Sequence, residues 1–389
     1  MSQNPIITVS DFLYKVHLFL NRLGKKNTSN KFSFIPYILK SATGNATKKV
    51  VHFNGNFIVG GSTQLIVDII ERTSDKYNHI VVVPEIPEPL PYQPIDIHQF
   101  SNNELEKLYD FLKENKPDLV HIHYWVRYIH RFNSSALWYA AIFKICEELN
   151  IKIVQNINVP TTPFKSANVV RNIFVSQYVL DNFNDSHIAS SVIYPGSDFS
   201  HFENDNIPSL PEDAIGMVYR LDKDKLNKDA IEIFISIAKK RPATKCYIIG
   251  QGEFLQYYKE RVKEENLVSN FIFPGMVSYS DLPSFYKKMS IFVAPVHDES
   301  FGQVTPFAMS MGLVVAGYDI GALSEILGNK EILVKYGDIE GLVNLIVDLL
   351  NNKSKRITIG IANQQQAHNR FAVEKMISDY LTVYDSLIA

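Results

Sequence analysis

Cysteine is scarce in this chain, positive charge is not in surplus, and long apolar runs are missing. Each shortage removes a class of function. Cys146 and Cys246 are the two cysteines in 389 residues, neither dense enough for a secreted disulfide scaffold nor close enough in sequence for a zinc-thiolate site. The expected compartment is reducing. Lys and Arg total 39 against 41 Asp and Glu, a formal net charge of −2, so no excess of cations exists to hold a nucleic-acid backbone. No nucleic-acid partner is expected. No stretch approaches the roughly 18 apolar residues of a membrane span, and the opening MSQNPIITVSDFLYKV lacks the basic region, apolar run and cleavage site of a secretory leader. The expected location is cytoplasmic, with at most a peripheral contact at the inner face of the membrane. What is present is a globular composition of 46% hydrophobic and 21% charged residues, long enough for two or three domains at about 150 residues each.

Residues 1–48 form an extension with its own character. In DFLYKVHLFLNRLGKK the apolar Phe12, Val16, Phe19, Leu20 and Leu23 follow a helical period while Lys15, Arg22, Lys25 and Lys26 fall elsewhere, which predicts a basic amphipathic helix. Such a helix packs on its own domain or meets an anionic membrane surface or a partner. From residue 49 to 196 short apolar runs such as VVHFNG and HIVVVPEI alternate with helical periods such as TQLIVDIIERTSDKY, the pattern of β-α-β units around a parallel sheet. The Pro-, Gly-, Ser- and Asp-containing stretch SSVIYPGSDFSHFENDNIPSLPED suits an exposed linker, set at residues 197–210. A second β-α series runs from 211 to 362, and 363–389 is helical in period. The expectation is an α/β protein of two Rossmann-like, doubly wound domains facing a cleft, with the C-terminal helix packing back on the first domain.

Gly60 and Gly61 lie between a strand and a helix, with Ser62 or Thr63 placed to cap it. A glycine turn there lets an oxyanion or sugar approach the positive end of a helix; a tight turn without a ligand is the other reading. His121 and His123 share one face of LVHIHYW by the period of two, with His123 nearer the ligand-binding end of a parallel strand. Either one faces the cleft or both are core residues. No metal site is expected, because no carboxylate or thiol nearby in sequence completes a set with the pair. In GMVYRLDKDKLNKDA, Arg220 and Lys225 precede a helix start. Two cations converging there describe a diphosphate site, unless Asp222 and Asp224 neutralise them as a solvated turn.

The stretch SIFVAPVHDESFGQVTPFAMSMGLVVAGYDIGALSEIL carries the most information. After its first strand come Glu299, then Ser300-Phe301-Gly302-Gln303-Val304-Thr305, then a helix; Gly321 and Glu325 follow the next strand. These residues resemble the retaining glycosyltransferases of family 4, which have the GT-B fold and a loop of the type E-x-F-G-x-x-x-x-E-A-M. The likeness extends upstream to G-R-L-x-x-x-K, matched by Arg220 and Lys225, to an N-G-V-D-x-x-x-F linker resembled by PGSDFSHF, and to the Gly-Gly turn and the V-H-x-H strand.

The resemblance implies a hexosyltransferase that moves a sugar from a nucleoside diphosphate sugar to a sugar, lipid-linked or protein acceptor, in bacterial surface polysaccharide, glycolipid or glycoprotein assembly. It implies that Arg220 and Lys225 hold the departing diphosphate without a metal or other cofactor, and that Glu299 lies near the donor sugar. The backbone of Met276 and Val277 would read the base. Phe301, Gly302, Gln303, Val304 and Thr305 would line the donor, the amides of Gly302 to Thr305 adding to the anion site. Gly60, Gly61 and His123 would face the acceptor. Where the family has a second glutamate for the ribose, this chain has Phe307, so ribose must be held by other groups or be less tightly bound. The alternative is a catalytically silent relative that serves as a binding or partner subunit.

Overall fold

The computed structural model describes residues 37–39, 46–58, 60–126 and 134–388. The expected amphipathic helix in the 1–48 extension lies outside them. The first lobe runs β1 (Tyr37–Ile38), β2 (Lys49–Asn54), α1 (Gly61–Thr73), β3 (Asn78–Val83), β4 (Tyr92–Gln93), β5 (Ile97–Gln99), α2 (Leu105–Asn115), β6 (Leu119–Tyr124), α3 (Ser134–Glu148), β7 (Ile153–Ile157), β8 (Val169–Phe174), α4 (Gln177–Phe183) and β9 (Ser190–Val192). The second runs β10 (Ala214–Val218), α5 (Asp229–Lys240), β11 (Lys245–Ile249), α6 (Leu255–Glu264), β12 (Phe271–Gly275), α7 (Leu282–Tyr286), β13 (Ile291–Ala294), α8 (Val304–Ser310), β14 (Val314–Tyr318), α9 (Leu323–Leu327), β15 (Leu333–Val334) and α10 (Ile339–Asn351). Helices α11 (Lys353–Phe371) and α12 (Val373–Leu387) close the chain.

Both large sheets are parallel throughout, in the orders β5-β3-β2-β6-β7-β8-β9 and β12-β11-β10-β13-β14-β15, while β1 pairs with β4 alone. Strands covered on both faces must be apolar along their whole length. IFVA of β13 and VVAGY of β14 are buried at every position. In each sheet the winding reverses beside its first long strand, between β2 and β6 and between β10 and β13. Connections leave a parallel sheet in opposite directions at such a point, and the gap between them opens at the C-terminal ends of the strands.

The span 197–210 departs from the expected exposed linker. Phe199, Phe202 and Ile207 are buried, and Phe202 stacks on Phe307 at 4.1 Å between ring centroids. The apolar residues scattered through this polar stretch are its anchors. The C-terminal helical stretch is interrupted at Ala372, which is extended (ψ 143°). There Ser197 donates its amide to the Phe371 carbonyl at 2.8 Å and accepts the Val373 amide at 3.0 Å. Beyond that break α12 lays Val373, Met376, Tyr380 and Tyr384 against Val50, Leu65, Ile69, Leu119 and Val154 of the first lobe.

Candidate active site

The reversal between β10 and β13 brings two loops together at the C-terminal edge of the second sheet. Lys225, from the loop after β10, donates its Nζ to Glu299 Oε1 at 2.8 Å and to the Asp298 carbonyl at 3.3 Å. Glu299, from the loop after β13, is 3% exposed, and its partner's side chain is 24% exposed. The carboxylate is therefore shielded, while part of the lysine side chain stays accessible. Two glycines make this possible. Gly302 (φ +75°) lies against the Glu299 side chain, and a Cβ there would fall 2.6 Å from Glu299 Cδ. Gly321 (φ +55°), in the turn after β14, lies against the Glu299 backbone, where a Cβ would fall 2.1 Å from its carbonyl oxygen. Both conformations favour glycine.

Arg220 stands apart from this pair. Its side chain is 61% exposed and forms an ion pair with Asp224, four residues further along the same loop. Tyr219 beside it is buried, and burial, followed by the nearby Glu299 charge, pushes its phenol well above the ordinary range. It stays a neutral hydroxyl.

The loop leading into α8 divides by role. Phe301 is buried against Tyr194 and Phe371, at 5.9 and 5.5 Å between centroids, so its side chain packs the lobe junction instead of lining a donor. The Thr305 amide donates to the Gly302 carbonyl at 2.9 Å. It is therefore used inside the turn, which corrects the expectation that it points at an anion. The Val304 carbonyl accepts from the Tyr286 hydroxyl at 3.3 Å. Gln303 crosses the gap: its Nε2 donates to the Gly196 carbonyl at 3.5 Å, and a Cβ on Gly61 would lie 3.3 Å from its Oε1. The glycine turn of the first lobe and the Glu299 loop of the second thus face each other. Ser300 adds a second crossing, donating to the Asn158 carbonyl at 3.4 Å. Met276 and Val277 follow β12, at the sheet edge remote from β15, with Met276 72% exposed.

Two further expectations change. Gly60 is the N-cap of α1, and neither Ser62 nor Thr63 caps the helix through its side chain. His123 does not reach the gap between the lobes: it and His121 are fully buried, with His52 and His79 beside them, under α1 and α12. The period of two put both histidines on one face correctly, yet that face is the one the two helices cover. Phe307 sits in an aromatic cluster with Phe199, Phe202 and Tyr279, so the position occupied by an acid in the resembled family here fastens the connecting segment to the second lobe.

Sequence reasoning missed the strongest polar tie between the lobes. Glu325, at the start of α9, accepts the backbone amides of Gln177 and Tyr178 at 2.7 and 2.9 Å and the Tyr194 hydroxyl at 2.6 Å. A carboxylate on two free amides of a helix start is a charge-assisted contact. Burial, then the bond to Glu325, hold the Tyr194 phenol up at about 12. Arg370 of α11 completes the tie through the Glu325 carbonyl and the Tyr194 hydroxyl. No local signal could have found it, since the partners are 148, 147 and 131 positions apart.

Two parallel sheets of Rossmann winding, facing one another across a gap lined by a glycine turn and a Lys-Glu pair, define the GT-B architecture. Residues 201–366, most of the C-terminal lobe, match the family described as glycosyl transferases group 1. Similar curated proteins include a capsular polysaccharide biosynthesis glycosyltransferase, CapM, of Staphylococcus aureus, 29% identical over 45% of this chain and 46% of the relative. A lipopolysaccharide core biosynthesis mannosyltransferase, LpsB, of Rhizobium meliloti is 25% identical over 41% and 47%. The chain thus spans less than half the length of these relatives. Among solved structures, Anabaena HepE in complex with UDP superposes with a TM-score of 0.70 at 17% identity, covering 87% of this chain and 100% of that one. Sucrose-phosphate synthase of Thermosynechococcus elongatus gives 0.71 at 15%, covering 87% and 99%. At these identities the likeness is one of fold.

Proposed function

We propose that the chain is a retaining glycosyltransferase that carries a sugar from a nucleoside diphosphate sugar to a hydroxyl acceptor in polysaccharide or glycolipid assembly. One observation carries the reading: a partly exposed lysine held by a buried carboxylate at the switch point of a Rossmann sheet. Breaking a glycosidic bond to a nucleoside diphosphate leaves growing negative charge on the diphosphate. A fixed cation already aimed at that charge stabilises the transition state more than the ground state. Lys225 would meet this charge, and Glu299 would orient both Lys225 and the donor sugar. Arg220 would exchange Asp224 for a phosphate oxygen when the donor arrives. The role needs no metal at the diphosphate.

The acceptor would enter between Gly60-Gly61 and Gln303 and attack the face from which the diphosphate leaves, giving retention. Curated relatives named for capsular polysaccharide and lipopolysaccharide core biosynthesis support an acceptor in surface glycan, and neighbours crystallised with UDP and with UDP-glucose support a nucleotide-linked donor. No helix among the described residues is long and apolar enough to cross a membrane; work at the cytoplasmic face, on a lipid-linked acceptor, belongs to the proposal. Radiolabelled transfer from a panel of nucleotide sugars, with and without EDTA, tests it. Transfer with retained anomeric configuration, insensitive to EDTA and lost in Lys225→Ala, is expected. Absence of both transfer and donor hydrolysis across the panel rejects the reading.

A further inference from the structure

Inside the first lobe, remote in sequence from Lys225 and Glu299, four histidines lie under α1 and α12. His52 is on β2, His79 on β3, and His121 and His123 on β6; each is at most 3% exposed. Ring nitrogens of His52, His121 and His123 all approach within 4.8 Å of one another. A neutral imidazole has one N–H and one bare nitrogen.

The hydrogen-bond directions can be followed from one end. Thr73 Oγ1 donates to the Ile69 carbonyl at 2.7 Å, so it accepts from His79 Nε2 at 2.8 Å. His79 Nδ1 is then the acceptor for His52 Nε2 at 2.9 Å, which leaves a lone pair on His52 Nδ1. That lone pair faces His123 Nε2 at 3.2 Å. His121 Nδ1 meets the Tyr384 hydroxyl at 2.6 Å.

Closed as hydrogen bonds alone, the chain leaves remainders. His121 Nε2, His123 Nδ1 and Asn54 Oδ1 are buried and make no well-formed hydrogen bond among the described residues, with Asn156 the polar side chain that interacts with the His121 ring besides Tyr384. His123 Nε2 would have to donate to His52, making its Nδ1 a bare acceptor, and Asn54, the residue paired with His123 across the β2-β6 register, offers another acceptor. A metal ion resolves this pattern. Two nitrogens on one tetrahedral ion lie about 3.3 Å apart, given Zn–N bonds near 2.0–2.1 Å, close to the 3.2 Å between His52 Nδ1 and His123 Nε2. His123 then carries its proton on Nδ1 as a donor. His52 and His121 each have their outer nitrogen engaged, by His79 and Tyr384, as metal-bound imidazoles do.

We propose that His52, His121 and His123 form a buried structural site for one zinc-class divalent ion in the N-terminal lobe. Three neutral imidazoles without carboxylates suit zinc, copper or nickel and disfavour magnesium or calcium. Because the rings are sealed, the ion enters as the lobe folds and fastens β2 and β6 to the layer of α1 and α12. The site is separate from the proposed transfer chemistry and stands or falls without it.

The test is metal retention by the full-length chain, produced once with zinc and once with cobalt in the growth medium. Mass-spectrometric metal analysis after gel filtration is expected to find about one ion per chain, and cobalt is expected to give the intense visible absorption of a low-symmetry nitrogen site. Tyr384→Phe, which removes an outer partner, should weaken retention on the order of 10- to 100-fold, and His121→Gln should abolish it. If the histidine variant fails to fold, Tyr384→Phe and the wild-type cobalt spectrum decide. Metal-free wild-type chain, a weak spectrum of cobalt in water, a thiolate charge-transfer band pointing to Cys146 or Cys246, or undiminished metal in Tyr384→Phe each overturns the proposal.

Discussion

The two lobes share one winding and use their polar residues in opposite ways. In the C-terminal lobe the central strands β13 and β14 carry apolar or small side chains only, and the charged groups sit in loops beyond the strand ends, at Lys225 and Glu299. In the N-terminal lobe polar groups lie within the strands themselves: His52, Asn54, His121, His123, Gln155, Asn156 and Asn172 are all buried. One lobe places its chemistry at the mouth of the sheet; the other keeps hydrogen-bonding groups in its interior. A Rossmann winding fixes where a gap opens, while side-chain pattern decides whether polar groups reach it.

Substitutions can separate these two uses. The largest loss of function is expected for Lys225→Ala, which removes a preorganised cation and should slow transfer by about 2–4 kcal/mol of transition-state stabilisation, read as kcat/KM. Glu299→Gln should also lower kcat while nucleoside diphosphate binding, followed calorimetrically, stays close to wild type; loss of binding would give Glu299 to the nucleotide. Gly321→Ala should destabilise the second lobe by roughly 1–3 kcal/mol in urea melts, because φ at +55° and the Glu299 carbonyl oppose a methyl group together. Arg220→Ala should lower kcat/KM less than Lys225→Ala, since its exposed guanidinium must first leave Asp224. Equal losses would show that the Asp224 pair opens freely and that both cations bear the leaving group equally.

The smallest effect belongs to the first lobe and to pH. Burial holds the Asp68 carboxyl up at about 7, outweighing the lowering by Arg72. An unfolded Asp releases its proton near 3.9, so between about 4 and 7 the folded chain binds the extra proton. Asp68 therefore contributes stability at low pH that is lost as pH rises through about 7. Thermal melts across that window should show a flatter pH dependence for Asp68→Asn, and an unchanged slope would mean that Asp68 is ionised throughout.

The alternation of apolar runs and helical periods was enough to read both sheets, and the loops that carry Lys225 and Glu299 could be placed at the ends of β10 and β13 because each strand and its loop are local in sequence. His123 was misplaced for a physical reason. A period of two says which residues share a face, but which face a terminal helix covers depends on α12, some 250 residues later. Phe199 and Phe202 looked like part of a polar connection because their partners, Phe307 and Tyr279, lie far along the chain. Glu325 shows the same limit: nothing in Ala-Leu-Ser-Glu announces the helix start it caps in the other lobe.

The return of α12 to the first sheet sets an order for synthesis. The lobe made first on the ribosome lacks one of its own walls until α12 is translated, so Val50, Leu119 and the histidine rings wait for Val373–Leu387 to be sealed. Newborn chain stopped before that point would carry an open apolar and imidazole-bearing surface, which makes the synthesis of α12 the step that completes a lobe begun about 300 residues earlier.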